Sequence, residues 1–66
     1  MIDDPDIYRA AKLVIDRRGE DAPGYAAGRA NLLLEESDME GSAVWRRILS
    51  AVVVLQRGLR DSEDLN

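Results

Sequence analysis

Apolar residues recur at Trp45, Ile48, Val52, Leu55 and Leu59, in steps of three and four that place them on one face of a helix. Val44, Leu49 and Ala51 widen the stripe, while Arg46, Arg47, Ser50 and Arg57 fall opposite it. The pattern predicts a long amphipathic helix over residues 38–58, against which the rest of the chain is organised. Ser37 and Glu40 form S-x-x-E, the pattern of a capping box, in which the serine hydroxyl and the glutamate carboxylate each accept from the other residue's amide. Asp38 and Glu40 also put negative charge where the helix dipole is positive. Loss of the Ser37 cap is expected to cost about 1 kcal/mol. Val53 and Val54 lie off the stripe, and the β-branched run from Val52 to Val54 is a poor intrinsic helix former. Packing within or between chains has to hold that run helical; its two off-stripe valines are otherwise simply exposed.

Two shorter helices are expected before it. Asp4 is a good N-cap and Pro5 suits the first helical position, which predicts a helix over 5–18. Ile7, Tyr8, Ala11, Val14 and Ile15 share its broad face, with Arg9, Lys12 and Asp16 opposite and Leu13 off the stripe. Arg17 and Arg18 stand at the end the dipole favours for cations, and Gly19 supplies a stop. Asp21 then reads as the N-cap of a helix over 22–36, with Pro23 in its first turn. This helix is apolar nearly all round, the mark of an element sandwiched between partners. Gly24 and Gly28, like Ala26 and Ala30, are four apart, which predicts a close helix–helix approach in water. Glu35 and Glu36 read as part of a tight acidic turn between antiparallel helices, and the polar segment after Leu59 is expected to fray. Three capped segments with short connections predict an all-α fold: a small three-helix domain, a helical hairpin plus a packed N-terminal helix. One domain covers residues 1–66, with an ordered core of about 5–58.

Length makes such a domain marginal. A chain of 66 residues buries only about 60% of its unfolded surface, and domains of this size need a disulfide, a metal or oligomerisation. The chain has no Cys and no His, which removes disulfides, thiolate zinc sites and the commonest transition-metal ligand and general base. Oligomerisation remains, so the domain is predicted to form a homodimer. Nine basic residues stand against 13 acidic ones, which argues against nucleic-acid binding. No apolar run approaches the roughly 18 residues of a membrane span, and the acidic start Met1-Ile2-Asp3-Asp4 is unlike a signal peptide. The expectation is a soluble, cytoplasmic protein that contacts neither nucleic acid nor membrane.

Candidate chemistry is sparse. Asp3, Asp4 and Asp6 cluster at one end, and Glu35, Glu36, Asp38 and Glu40 at the turn; both groups read as capping and solvated charge. The turn is also a place for a loose Ca²⁺ or Mg²⁺ ion, although it lacks the spacing of a dedicated calcium loop. Ser37, Ser42, Ser50, Ser62, Tyr8 and Tyr25 are the hydroxyls, and only Lys12 stands in for a base. The glycines match no nucleotide-binding motif. No catalytic, metal or cofactor site is predicted, and no cofactor. Arg29 falls among Ala22, Tyr25, Ala26 and Leu33 on the apolar face. It is either an edge arginine lying over its own stem, or one that sets register or receives an anionic partner group. Trp45, the sole Trp, is either core or an interface anchor. Trp45, Leu49 and Val53, at steps of four, with Arg29, form the candidate interface.

The runs Arg18-Gly19-Glu20-Asp21-Ala22, Ala26-Ala27-Gly28-Arg29-Ala30-Asn31-Leu32-Leu33 and Met39-Glu40-Gly41-Ser42-Ala43-Val44-Trp45-Arg46-Arg47-Ile48 resemble a family of short proteobacterial proteins, a domain of unknown function. Its pattern is GEDA…AAxRAxxLL…EGxAVWRRI, and the resemblance covers roughly residues 5–57. This chain has Asn31 where the pattern shows an acid and Ser37 where it shows Gly. Leu32 to Ala43 also resembles the inter-helix turn of a tetratricopeptide repeat. Neither resemblance implies an activity. The leading expectation is therefore a non-enzymatic module for self-association and protein interaction. The alternative is an antitoxin-like or phage-type regulatory protein that binds another protein through its acidic surface.

Overall fold

Pro5 opens the first helix where a missing amide hydrogen costs nothing. The Asp4 carboxylate caps it, accepting from the Asp6 amide at 2.9 Å. In the computed structural model, which describes residues 4–64 and the side chains of residues 4–58, α1 (Pro5–Arg18) leads through a 3-10 turn (Gly19–Asp21) into α2 (Ala22–Glu35), and the chain returns as α3 (Met39–Asp64). All elements among the described residues are helical, as the periodicity predicted. The expectations for residues 1–3 and for Leu59 as part of the apolar stripe lie outside the described residues and side chains.

The arrangement differs from the predicted three-helix packing. α1 and α2 follow one another as a single long bent arm over residues 5–35, and that arm lies against α3. The two halves touch each other far less than either touches α3. The connection explains this: Gly19–Asp21 is itself a helical turn, so it bends the arm and does not fold α1 back along α2. Gly19 makes the bend, with φ +57°, a region open to glycine at no steric cost. The Gly19 amide donates to the Ile15 carbonyl, and its own carbonyl accepts from Gln56 Nε2 at 2.9 Å, which ties the bend to α3. Asp21 lies inside this turn with a helical backbone, and its side chain caps nothing. Because α1 does not run along it, α2 has one covered face; the sandwich expected from its composition is absent within the chain.

The core is small and fine-grained. Ile7, Ala11 and Val14 from α1, Ala22 and Ala26 from α2, and Ile48, Ala51 and Val52 from α3 form one buried cluster. Ile15, Tyr25, Trp45, Leu49 and Leu55 pack around it, half-buried. From Trp45 to Leu55 the stripe read from the sequence on α3 is thus the face that packs, but Val44, counted with it, is exposed, as are Val53 and Val54 at 39% and 57%. Close approach comes from the alanines and not from the glycines. A Cβ added at Gly24 or Gly28 would meet nothing within 4 Å, because both residues lie on the uncovered side of α2.

The reversal between α2 and α3 corrects the expected capping box. Ser37 has φ +64° and serves as the left-handed residue that closes α2. Its amide donates to the Leu34 carbonyl at 3.0 Å, and the Asp38 amide donates to the Leu33 carbonyl at 2.8 Å, the paired bonds of a Schellman motif. A residue in that conformation cannot also be the extended N-cap of the next helix. The cap passes to Asp38, whose Oδ1 accepts from the Gly41 amide at 2.9 Å. Gly41 leaves room for this carboxylate, since a Cβ there would come within 2.5 Å of Asp38 Oδ2. α3 also runs past its expected end at residue 58, to Asp64; no proline or glycine follows Gly58 to stop it.

Two sets of substitutions test these assignments by thermal melting. Asp38→Ala should destabilise the domain by about 1 kcal/mol through loss of the cap. Ser37→Gly should stabilise it by about 1 kcal/mol, because glycine pays no steric penalty at positive φ. An unchanged melting temperature in Asp38→Ala would locate the cap elsewhere. Gly28→Ala, on the open side of α2, should add about 1 kcal/mol through helix propensity alone. A loss of stability there would mean that a second chain packs closely on Gly28.

Candidate functional site

Tyr25 and Arg29 are one turn apart on α2, half-buried beside the alanine seam. The antiparallel return of α3 brings Trp45 against both. The Tyr25 and Trp45 rings meet edge to face, with centroids 5.7 Å apart at 81°. The Arg29 guanidinium lies over the Trp45 ring, 5.6 Å from its centroid. Arg18, the last residue of α1, lies over the Tyr25 ring at 4.2 Å. The result is a ladder of cation, ring, ring and cation drawn from all three helical segments. Each rung suits the ring quadrupole, whose negative face attracts a cation and whose positive edge meets another face.

Beside the ladder is a cleft of about 170 Å³ lined by Leu13, Val14, Arg17, Arg18, Tyr25 and Trp45. Its walls are apolar and its rim carries two arginines. Leu13, off the stripe of α1, is 49% exposed there. Arg29 Nε is buried and has no acceptor. The one ion pair among the described residues is exposed and involves none of this cluster, Arg9 to Asp6 at 3.9 Å. Stacking on a ring uses the flat face of a guanidinium and leaves its in-plane donors available for a carboxylate or phosphate.

Of the four residues picked out as an interface, the structure brings Trp45 and Arg29 together. Leu49 packs against the core. Val53 opens onto a separate cleft with Glu20, Pro23, Gln56 and Arg57. Tyr25, Arg18, Arg17 and Leu13 were missed as site residues. The four-residue step from Tyr25 to Arg29 was a usable signal, but the place of Arg18 depends on the bend at Gly19. A third, apolar groove of about 450 Å³ lies between Lys12, Ile15 and Asp16 of α1 and Val54, Leu55 and Gly58 of α3.

Other candidate chemistry does not assemble. No group of three or more metal-ligating side chains converges among the described residues, the acidic turn included. Ser42 is buried at 2% exposure, yet its hydroxyl has no hydrogen-bond partner, whereas a nucleophilic serine needs a base within reach. No helix among the described residues is long and apolar enough to cross a membrane. Comparison with protein-family models, with curated proteins and with solved structures returned no match.

Tyr25→Leu tests the ladder. It keeps an apolar side chain but removes the edge-to-face contact and the Arg18 stacking, together about 1–2 kcal/mol. Urea unfolding followed by circular dichroism should show that loss. Trp45, the sole tryptophan, should at the same time report a changed environment by fluorescence. A midpoint equal to wild type would mean that the ladder contributes nothing to stability.

Proposed function

We propose that this chain is a non-enzymatic helical module that self-associates as a homodimer, with α3 contributing to the interface through Trp45. One observation carries the reading: among the described side chains, more large apolar ones stand outside than are buried. The buried apolar residues are Ile7, Val14, Ile48, Val52 and five alanines, Ala11, Ala22, Ala26, Ala30 and Ala51. A fully buried Val or Ile contributes about 1.5–3 kcal/mol, and an alanine much less. Meanwhile Leu13, Leu32, Leu34, Met39, Val44 and Val53 are exposed on the two arms. A domain with so small a core needs a partner surface, and a twofold interface supplies one by letting a patch meet its own copy. Trp, Tyr and Arg, the residues that dominate interface energetics, are those gathered in the ladder.

A second reading has its own support. Glu35, Glu36, Asp38 and Glu40 are all exposed, which suits an antitoxin-like or phage-type regulator that offers an acidic surface to a different protein. Sedimentation equilibrium at micromolar concentration separates the two. Self-association predicts a mass of twice 7.3 kDa and a melting temperature that rises with protein concentration. A 7.3 kDa species throughout would overturn it and leave the second reading, which a pull-down recovering one stoichiometric partner would support.

A further inference from the structure

Resting on the self-association reading, we infer that the cleft beside the aromatic ladder receives the acidic turn of a second copy, residues 34–40, while its own turn enters the cleft of that copy. The argument begins with size. At about 170 Å³ the cleft falls short of the roughly 300–1,000 Å³ of small-molecule sites. It has room for a side chain of an anchoring segment. Its walls, from Leu13, Val14, Tyr25 and Trp45, suit an apolar group, and its rim, from Arg17 and Arg18, suits carboxylates beside that group.

The turn carries this combination. Leu34 and Met39 are exposed at 39% and 65%, and Glu35, Glu36, Asp38 and Glu40 stand around them, all exposed. The Schellman bonds and the Asp38 cap hold the segment in one backbone conformation, so little ordering remains to be done on docking.

Charge complementarity selects a second copy as the occupant. The chain has 13 acidic residues against nine basic ones, yet Arg17, Arg18 and Arg29 form no ion pair among the described residues. Glu20 and Asp21, the acids nearest to Arg18 in sequence, do not pair with it either, and Glu20 lines the Val53 cleft. Unpaired arginines and unpaired carboxylates on one molecule, each set beside apolar side chains, are satisfied together when two copies meet. The buried, acceptorless Nε of Arg29 lies in the same cluster. Met39 and Trp45 are six residues apart on α3, about 9 Å of helix rise. Turn and cleft thus lie close enough for one twofold axis to relate both contacts.

A charge-exchange experiment tests this. One variant carries Arg17→Glu and Arg18→Glu; the other carries Glu35→Arg and Glu36→Arg. None of these four residues belongs to the buried core, and circular dichroism checks that each variant remains helical. Each alone should dimerise about a hundredfold more weakly than wild type, since like charges then meet across the interface. An equimolar mixture should recover the dimer mass, because the reversed cleft of one accepts the reversed turn of the other, and the unaltered pair also matches. Trp45 emission should shift to the blue on mixing as the cleft loses water. If wild type is a dimer but both variants stay dimeric, or the mixture stays monomeric, the docking is wrong and self-association stands. A monomeric wild type overturns both.

Discussion

Ala22, Ala26 and Ala30 run down α2 at steps of four, all buried, and this seam decides how near α2 can come to Ile48, Ala51 and Val52 on α3. Small side chains allow a short distance between helix axes, and the short distance sets what else can touch. It brings the larger residues flanking the seam, Tyr25 and Arg29, into contact with Trp45. The same choice limits stability, because alanine removes little apolar surface from water. Close packing on small residues therefore gives this fold well-placed edges and a weak centre. That is the physical reason why its surface, and not its interior, holds the clearest functional signals.

The helices themselves were legible in the sequence, since periodicity and end signals are local. Asp4-Pro5 and the three–four stripe on α3 from Trp45 to Leu55 mean in the structure what they meant in the chain, whereas Gly19 ends α1 only to bend the arm onward. The relation between helices was less legible. Three separate helices with antiparallel or steeply crossed neighbours were expected from the short connections, but Gly19–Asp21 is itself a turn of helix that carries α1 on into α2. Whether such a link bends or reverses the chain depends on contacts made elsewhere. Here Gln56 supplies one from 37 residues away, and no local reading contains it. The glycines misled for a related reason. Spacing of four puts Gly24 and Gly28 on one side of α2, but only the packed structure says which side is covered.

At the α2–α3 turn the S-x-x-E pattern pointed to Ser37, and the structure caps α3 with Asp38 instead. Ser37 and Asp38 are both favoured N-cap residue types, but only Ser37 has a glutamate three residues on. What the pattern omitted was the end of the preceding helix. One residue has to take positive φ to close α2, and once Ser37 does so the N-cap moves along by one. Adjacent helix ends compete for the same residues, so a cap assigned to one helix alone is underdetermined.

The candidate site was half legible for the same reasons. Residue type alone marked Trp45 and Arg29, because a lone tryptophan and an arginine on an apolar face both require explanation. Their meeting could not be read, since it depends on the register of α3 against α2. Arg18 had a sufficient local explanation as a cation at a helix C-terminus, and that explanation hid its second role over Tyr25. The general point concerns where the charge of this molecule goes. Three arginines gather about two aromatic rings with no ion pair among the described residues, and four carboxylates stand together at a turn held by two interlocking caps. Within one chain the stacking and the caps stabilise each arrangement but leave its charges unneutralised. In the proposed docking a second copy would neutralise both sets in a single step.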